Sequence, residues 1–235
     1  MQLFYTPHIS GKQAILQGEE ARHCTQVLRK KVGDPIQIVD GKGHWYKGII
    51  ESTSKKECFI SIQKEIDTYT SRACHLHVAI APTKNRTRFE WFLEKATEIG
   101  IDQISPITCA RSERKVIKNK RLNKILVSAM KQSLKATLPQ LGELKTFKQW
   151  LSELTDTNEQ RFIAHCIDDE KQHLKEKYKP GQNVILMIGP EGDFTKEEVT
   201  QATQKGFLPV TLGESRLRTE TAGIAGTHIL NLLNS

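Results

Sequence analysis

Residues 184–227 constrain this chain more than any other stretch. The apolar run Val184-Ile185-Leu186-Met187-Ile188 has the length of a buried strand and stops at Gly189-Pro190-Glu191-Gly192-Asp193-Phe194. Thr195 and Glu198 follow at capping-box spacing, where a hydroxyl and a carboxylate satisfy the first free amides of a helix. The pattern then repeats. Pro209-Val210-Thr211-Leu212-Gly213 predicts a second strand, residues 214–221 a loop, and Ala222-Gly223-Ile224-Ala225-Gly226 a helix of small residues. Two strands that end in glycine-bearing loops and feed two helices predict α/β architecture, in which ligands sit outside the carboxyl ends of the strands. The stretch predicts a ligand pocket.

The preceding residues continue the alternation. Strands are predicted over 75–81, 104–108 and 161–166. The helix over 89–99 has Phe89, Phe92, Leu93, Ala96 and Ile99 on one face and Gly100 as its stop. Further helices are predicted over 147–154 and around Leu122, Ile125, Leu126, Ala129 and Met130, the latter ending near Pro139. Strands alternating with helices imply a mostly parallel sheet. Residues 1–70 read differently: a short helix over 19–29, then strands Pro35–Val39, 45–50 and 58–62 with a turn at Asp40-Gly41-Lys42-Gly43. That pattern predicts a compact β-barrel. Residues 67–72 are polar and predict a linker, so the expected domains are 1–70 and 73–235.

The net charge of +8 is concentrated in the middle of the chain, where residues 73–140 carry 13 Lys/Arg against 5 Asp/Glu. Seven cations fall within residues 111–124, beginning with Arg111 and Arg114, against one acid, Glu113. Such a run suits a phosphate backbone or a merely solubilising loop. Lys84-Asn85-Arg86-Thr87-Arg88 is a second basic loop, and Arg22, Arg29, Lys30 and Lys31 suit a phosphate backbone or a solvated basic helix end. Glu90, Glu94 and Glu98 read as a solvated acidic stripe, with a glutamate reaching the pocket as the rival. No apolar run approaches the roughly 20 residues of a membrane span, and the N-terminus lacks signal-peptide features. Five cysteines without a C-x-x-C predict reduced thiols in a cytoplasmic protein. No metal site is expected: His75 and His77 lack a third ligand, and Asp168-Asp169-Glu170 reads as a turn or a helix start.

P-loop, dinucleotide-binding, nucleophile-elbow and zincin motifs are absent. Glycines in the 184–227 loops let a ligand approach backbone amides and carbonyls, which suits an adenine edge. Glu191 and Glu220 would favour a cationic group and Arg218 an anionic one, a combination that S-adenosylmethionine presents.

Ile188-Gly189-Pro190-Glu191-Gly192, with Leu212-Gly213 and Leu217-Arg218-Thr219-Glu220-Thr221-Ala222, resembles the small-subunit ribosomal RNA uridine N3-methyltransferases of the SPOUT class. The resemblance extends to Val27-Leu28-Arg29, Val32-Gly33-Asp34, Arg111-Ser112-Glu113 and Lys131-Gln132-Ser133. It implies an α/β fold: a trefoil-knotted SPOUT methyltransferase domain, with residues near 213–235 threaded through a loop, preceded by a small PUA-like β-barrel domain. It also implies a homodimer acting on 16S rRNA in the small ribosomal subunit without membrane or metal. S-adenosylmethionine would lie against Ile188, Gly189, Pro190, Glu191, Gly192, Leu212, Gly213, Leu217, Arg218, Thr221 and Ala222. Arg218 and Glu220 would be catalytic, or else form a structural ion pair across their loop. Arg22, Arg29, Lys30, Arg86, Arg88, Arg111 and Arg114 would contact RNA. A non-catalytic RNA-binding factor and a SPOUT enzyme acting on transfer RNA are the rival readings. Two positions depart from the family pattern: Asp193 replaces a glycine, and Leu134-Lys135 replaces a Gly-Arg pair.

Overall fold

The structure, a computed structural model, describes residues 2–54, 56–66, 74–155, 158–167 and 170–235. The expected linker at 67–72 and the acids Asp168 and Asp169 lie outside the described residues. Two compact units divide the chain: Met1–Ser71 with Val127–Leu138, and Arg72–Leu126 with Pro139–Ser235. Segment 127–138 therefore joins the first unit, although sequence order suggests the second.

The first unit contains β1 (Leu3–Tyr5), β2 (Ile9–Ser10), β3 (Gln13–Gln17), α1 (Gly18–Arg22), a π-helical turn (His23–Val27), β4 (Pro35–Val39), β5 (Trp45–Thr53) and β6 (Glu57–Ile66). The six strands form one sheet in the order β1-β4-β5-β6-β3-β2. Alternation in β4 and β6 turns Ile36, Ile38, Cys58, Ile60 and Ile62 into a core shared with Phe4, Leu16 and Cys24. A second cluster joins Leu3, Val39 and Trp45 to Met130 and Ala136 of the segment 127–138. Lys131 Nζ also pairs with Glu20.

Leu134, in that segment, has a φ of +55° and is 44% exposed. A left-handed conformation costs an L-residue about 1–2 kcal/mol, whereas glycine's extra unfolded-state entropy costs about 0.5–1 kcal/mol. Leu134→Gly is therefore expected to stabilise the protein by about 0.5–1 kcal/mol, measured as a higher denaturant midpoint with an unchanged slope.

The second unit comprises β7 (Leu76–Ile80), α2 (Arg86–Ile99), β8 (Gln103–Thr108), most of α3 (Asn119–Gln132), β9 (Gln140–Leu141), β10 (Lys145–Thr146), α4 (Phe147–Glu153), β11 (Gln160–Ala164), β12 (Gln172–His173), α5 (Leu174–Lys177), β13 (Val184–Ile188), α6 (Lys196–Gln204), β14 (Leu208–Thr211) and α7 (Thr219–Leu232). Its strands pair in parallel in the order β10-β8-β7-β13-β11-β14-β12, with β9 beside β8.

Every residue of β13 is buried, as a strand covered on both faces requires. Ile185 and Met187 pack with Phe147, Trp150, Phe194, Ala202 and Phe207 of the α4 and α6 side. Leu186 faces Gly226 of α7 instead, and Gly223 of α7 abuts Phe92 of α2 and Ile80 of β7. The capping box expected at α6 is present: Thr195 Oγ1 accepts from the Glu198 amide at 3.2 Å, and Glu198 Oε2 accepts from the Thr195 amide at 2.9 Å.

Candidate active site

Three parallel strands, β13, β11 and β14, lie side by side and end at the same edge of the sheet. The loops after them enclose a cleft of about 840 Å³. One wall is the loop after β13, from which Gly189, Pro190, Glu191 and Asp193 line the cleft beside Ile188. A second runs from Thr211 to Thr219 and ends in the first turn of α7 at Ala222. The third follows β11 through His165, Cys166 and Ile167, with Lys171 and His173 beyond. Gly213 takes a φ of +140°, accessible to glycine and strained for other residues, so the second wall turns sharply there.

Nine of the eleven expected cofactor contacts line this cleft: Ile188, Gly189, Pro190, Glu191, Leu212, Gly213, Leu217, Arg218 and Ala222. Gly192 and Thr221 lie outside the lining. Gly192 instead closes on Arg111, whose Nη1 donates to the Gly192 carbonyl at 2.8 Å. Arg218 lines the cleft as the residue preceding α7, and its guanidinium is exposed without an ion pair among the described residues.

Glu220, in the first turn of α7, is 5% exposed, and its Oε1 lies 3.6 Å from Arg88 Nε. Its Oε2 is buried without a hydrogen-bond partner among the described residues. Neither the lining of the cleft nor any ion pair joins Glu220 to Arg218.

The third wall was not expected. Residues 167–181 read as a polar connection, and nothing local distinguishes Lys171 or His173. His165 and Cys166 were discoverable, because they close a predicted strand and strand ends are where such pockets form. Glu214, Ser215 and Arg216 were also passed over, though they fill the interval between Gly213 and Leu217.

Several expected RNA contacts hold loops together. Arg114 Nε donates to the Thr83 carbonyl at 2.8 Å, and its Nη2 donates to the Lys84 carbonyl. Glu191 Oε1 accepts from the Lys84 amide at 2.9 Å, and Glu198 Oε1 from the Ala110 amide at 2.8 Å. Arg86 pairs with Glu90 at 3.2 Å, and Arg121 grips Glu90 with two bonds of 2.6 and 3.0 Å. The Arg121 hydrogen bonds hold the Glu90 carboxyl below its usual range. Glu94 and Glu98 share Lys95, so the acidic stripe of α2 is tied up in surface pairs.

Arg22 and Arg29 are exposed in the first unit, while Lys30 Nζ donates to the Pro35 carbonyl at 2.9 Å. His77 is buried against Ser105 at 2.8 Å, and burial pushes its imidazole down to about 3. Among the described residues, no three His, Cys, Asp or Glu side chains are placed to hold a metal. No described helix is long and apolar enough to cross a membrane.

Parallel strands, a cleft at their carboxyl ends and glycine-bearing walls define a nucleotide-type ligand site on an α/β domain. A family described as RNA methyltransferase domain matches residues 70–231, and one described as RNA methyltransferase PUA domain matches residues 16–63. The chain belongs to this family of RNA methyltransferases. It is similar to a probable rRNA-methyltransferase of Porphyromonas gingivalis, with 39% identity and a TM-score of 0.90 over 100% of this chain and 98% of that one. It is also similar to the ribosomal RNA small subunit methyltransferase E of Neisseria gonorrhoeae, whose structure holds S-adenosyl methionine. There the identity is 27% and the TM-score 0.88, over 99% and 98% of the two chains. The Bacillus subtilis ribosomal RNA small subunit methyltransferase E is 26% identical over 88% of this chain and 85% of its own length.

Proposed function

We propose that this protein transfers a methyl group from S-adenosylmethionine to N3 of a uridine in the 16S rRNA of the small ribosomal subunit, in the cytoplasm. The observation that carries the reading is the cleft at the ends of β11, β13 and β14, in a chain of the RNA methyltransferase family. The residues fit the cofactor. A volume of about 840 Å³ lies within the range of small-molecule pockets. Ile188, Leu212, Leu217 and Ala222 offer an apolar surface to a purine. Glu191 and Glu214 suit a cationic centre, and Arg216 a carboxylate. When bound, S-adenosylmethionine supplies a methyl group made electrophilic by its sulfonium.

The protein must hold the uridine in line with that methyl group and help remove the weakly acidic N3 proton. Arg218 would stabilise the uridine anion as the proton leaves. Glu220, which lies beside Arg88, would orient that cation or accept the proton, a role supported by its buried Oε2, which has no hydrogen-bond partner among the described residues. A base-paired uridine has its N3 occupied, so the target must be single-stranded or extruded. Arg22, Arg29, Lys30, Arg86, Arg88, Arg111 and Arg114 would meet the phosphate backbone.

The reading also includes a homodimer and a knotted C-terminus. Exposed Trp91 on α2 and Leu232 on α7 support the dimer, which light scattering would register as twice the chain mass. The knot is supported by the path of the chain. After β14, beyond β11, it turns back to pack α7 against β7 and β13.

The experiment is incubation with labelled S-adenosylmethionine and unmodified small subunits, followed by mass spectrometry of the nucleosides. N3-methyluridine in 16S rRNA is the expected product. No transfer, with cofactor binding and intact subunits verified, would move the reading to another RNA or to a binding factor.

A further inference from the structure

Asp193 has a φ of +64°, in the left-handed region where aspartate is among the few side chains tolerated. Its amide closes a turn onto the Pro190 carbonyl at 2.9 Å, and its side chain reaches the loop after β11. Oδ2 accepts from the Cys166 amide at 2.8 Å, and Oδ1 from the Phe194 amide at 2.8 Å. Cys166 belongs to the wall after β11 and Asp193 to the wall after β13. One carboxylate thus ties two walls of the cleft to each other.

We propose that Asp193 is a positioning residue that clamps the loop after β13 to the loop after β11, setting the width of the cofactor cleft before S-adenosylmethionine enters. The proposal rests on the cofactor reading given above. Its physical basis is preorganisation: a loop already held in its binding geometry spends less of the interaction energy on ordering. Hydrogen bonds to an ionised acceptor are stronger than neutral ones, so a single carboxylate can hold both amides. The residue touches no reacting atom in this scheme. Its effect should therefore appear in cofactor affinity and leave the chemical step alone.

Asp193→Gly is the informative variant, because glycine adopts a φ of +64° without strain and removes both carboxylate hydrogen bonds, with added backbone freedom. Hydrogen exchange of the unliganded protein should show the Cys166 and Phe194 amides exchanging about tenfold faster or more, the scale of a lost charged hydrogen bond. Calorimetric titration should show S-adenosylmethionine binding weakened by about tenfold, the scale of one lost preorganising contact. KM for the cofactor should rise alongside, with kcat at saturation and KM for RNA unchanged. Asp193→Asn retains one acceptor oxygen and should recover part of the loss.

Unchanged exchange in the glycine variant overturns the clamp. So does wild-type or tighter cofactor affinity in that variant, which would mean that relief of backbone strain outweighs the clamp. If the wild-type protein, verified as folded, binds no S-adenosylmethionine, the cofactor reading fails and the exchange comparison alone decides whether Asp193 joins the two walls.

Discussion

Arg218→Ala is expected to lower kcat by roughly 10²–10³-fold, the usual loss when one preorganised donor to a developing anion is removed. S-adenosylmethionine affinity should change by no more than about threefold, under 1 kcal/mol, if the guanidinium acts on the uridine and not on the cofactor. The expectation follows from its position. Arg218 precedes the first residue of α7, lines the cleft and carries no ion pair among the described residues, so its charge is available to a substrate. Single-turnover methyl transfer with saturating cofactor isolates the effect. Arg218→Lys should recover part of the rate by restoring a point charge without the planar fork. Wild-type turnover in the alanine variant would remove Arg218 from the mechanism. A loss confined to cofactor binding would assign it to the cofactor carboxylate.

The second large effect concerns stability, and its sign is the test. Gly223 lies inside α7, where helix propensity alone would have Ala stabilise by about 0.5–1 kcal/mol. A Cβ at this position would stand 2.7 and 2.8 Å from two ring carbons of Phe92 and 2.9 Å from Ile80 Cδ1. Both side chains are fully buried, so neither can swing out of the way. Overpacking a closed core costs typically about 1–3 kcal/mol, which exceeds the propensity gain. Gly223→Ala is therefore expected to destabilise by about 1–2 kcal/mol, and Gly223→Val by more. Phe92→Leu combined with Gly223→Ala should return part of the loss, giving a coupling in a double-mutant cycle. A more stable alanine variant would show that α7 and α2 are free to separate.

How much of this was legible in the sequence depended on how local each signal is. The β13 strand was readable because a five-residue apolar run between polar segments needs no partner to be recognised. The start of α6 was readable because a capping box involves residues three apart. The start of α7 was not: Arg218 occupies its N-cap position without a side-chain cap, so the helix begins at Thr219, ahead of the expected Ala222. The strands β1, β2 and β3 span two to five residues and exist through pairing with distant β4 and β6 or with each other. The placement of segment 127–138 is equally non-local, resting on contacts such as Met130 with Leu3 and Lys131 with Glu20.

The two departures from the family pattern, Asp193 and Leu134, both fall where the backbone φ is positive. A residue list marks them as losses of glycine, and only the backbone shows that the two differ. Asp193 replaces glycine's freedom with two hydrogen bonds, whereas Leu134 is 44% exposed and carries the strain of its conformation. Within the cleft, the walls after β13 and β14 fall in the stretch that the sequence marks as a pocket, whereas the wall after β11 does not, although its strand was readable. The wall built by Lys171 and His173 emerged only when the sheet order set β12 beside β14.

Arg111, Arg114, Glu191 and Glu198 link the chain beyond β7, β8 and β13 through side-chain bonds to one another's backbones. Their partners are carbonyls and amides, which every sequence possesses, so the cross-links survive only if loop lengths and shapes are kept in step. The three segments should thus be inherited and transplanted as one module. A chimera that takes the segment around residue 84 from a relative, and leaves those around 111 and 192 in place, should lose cofactor binding. A chimera exchanging all three should keep it.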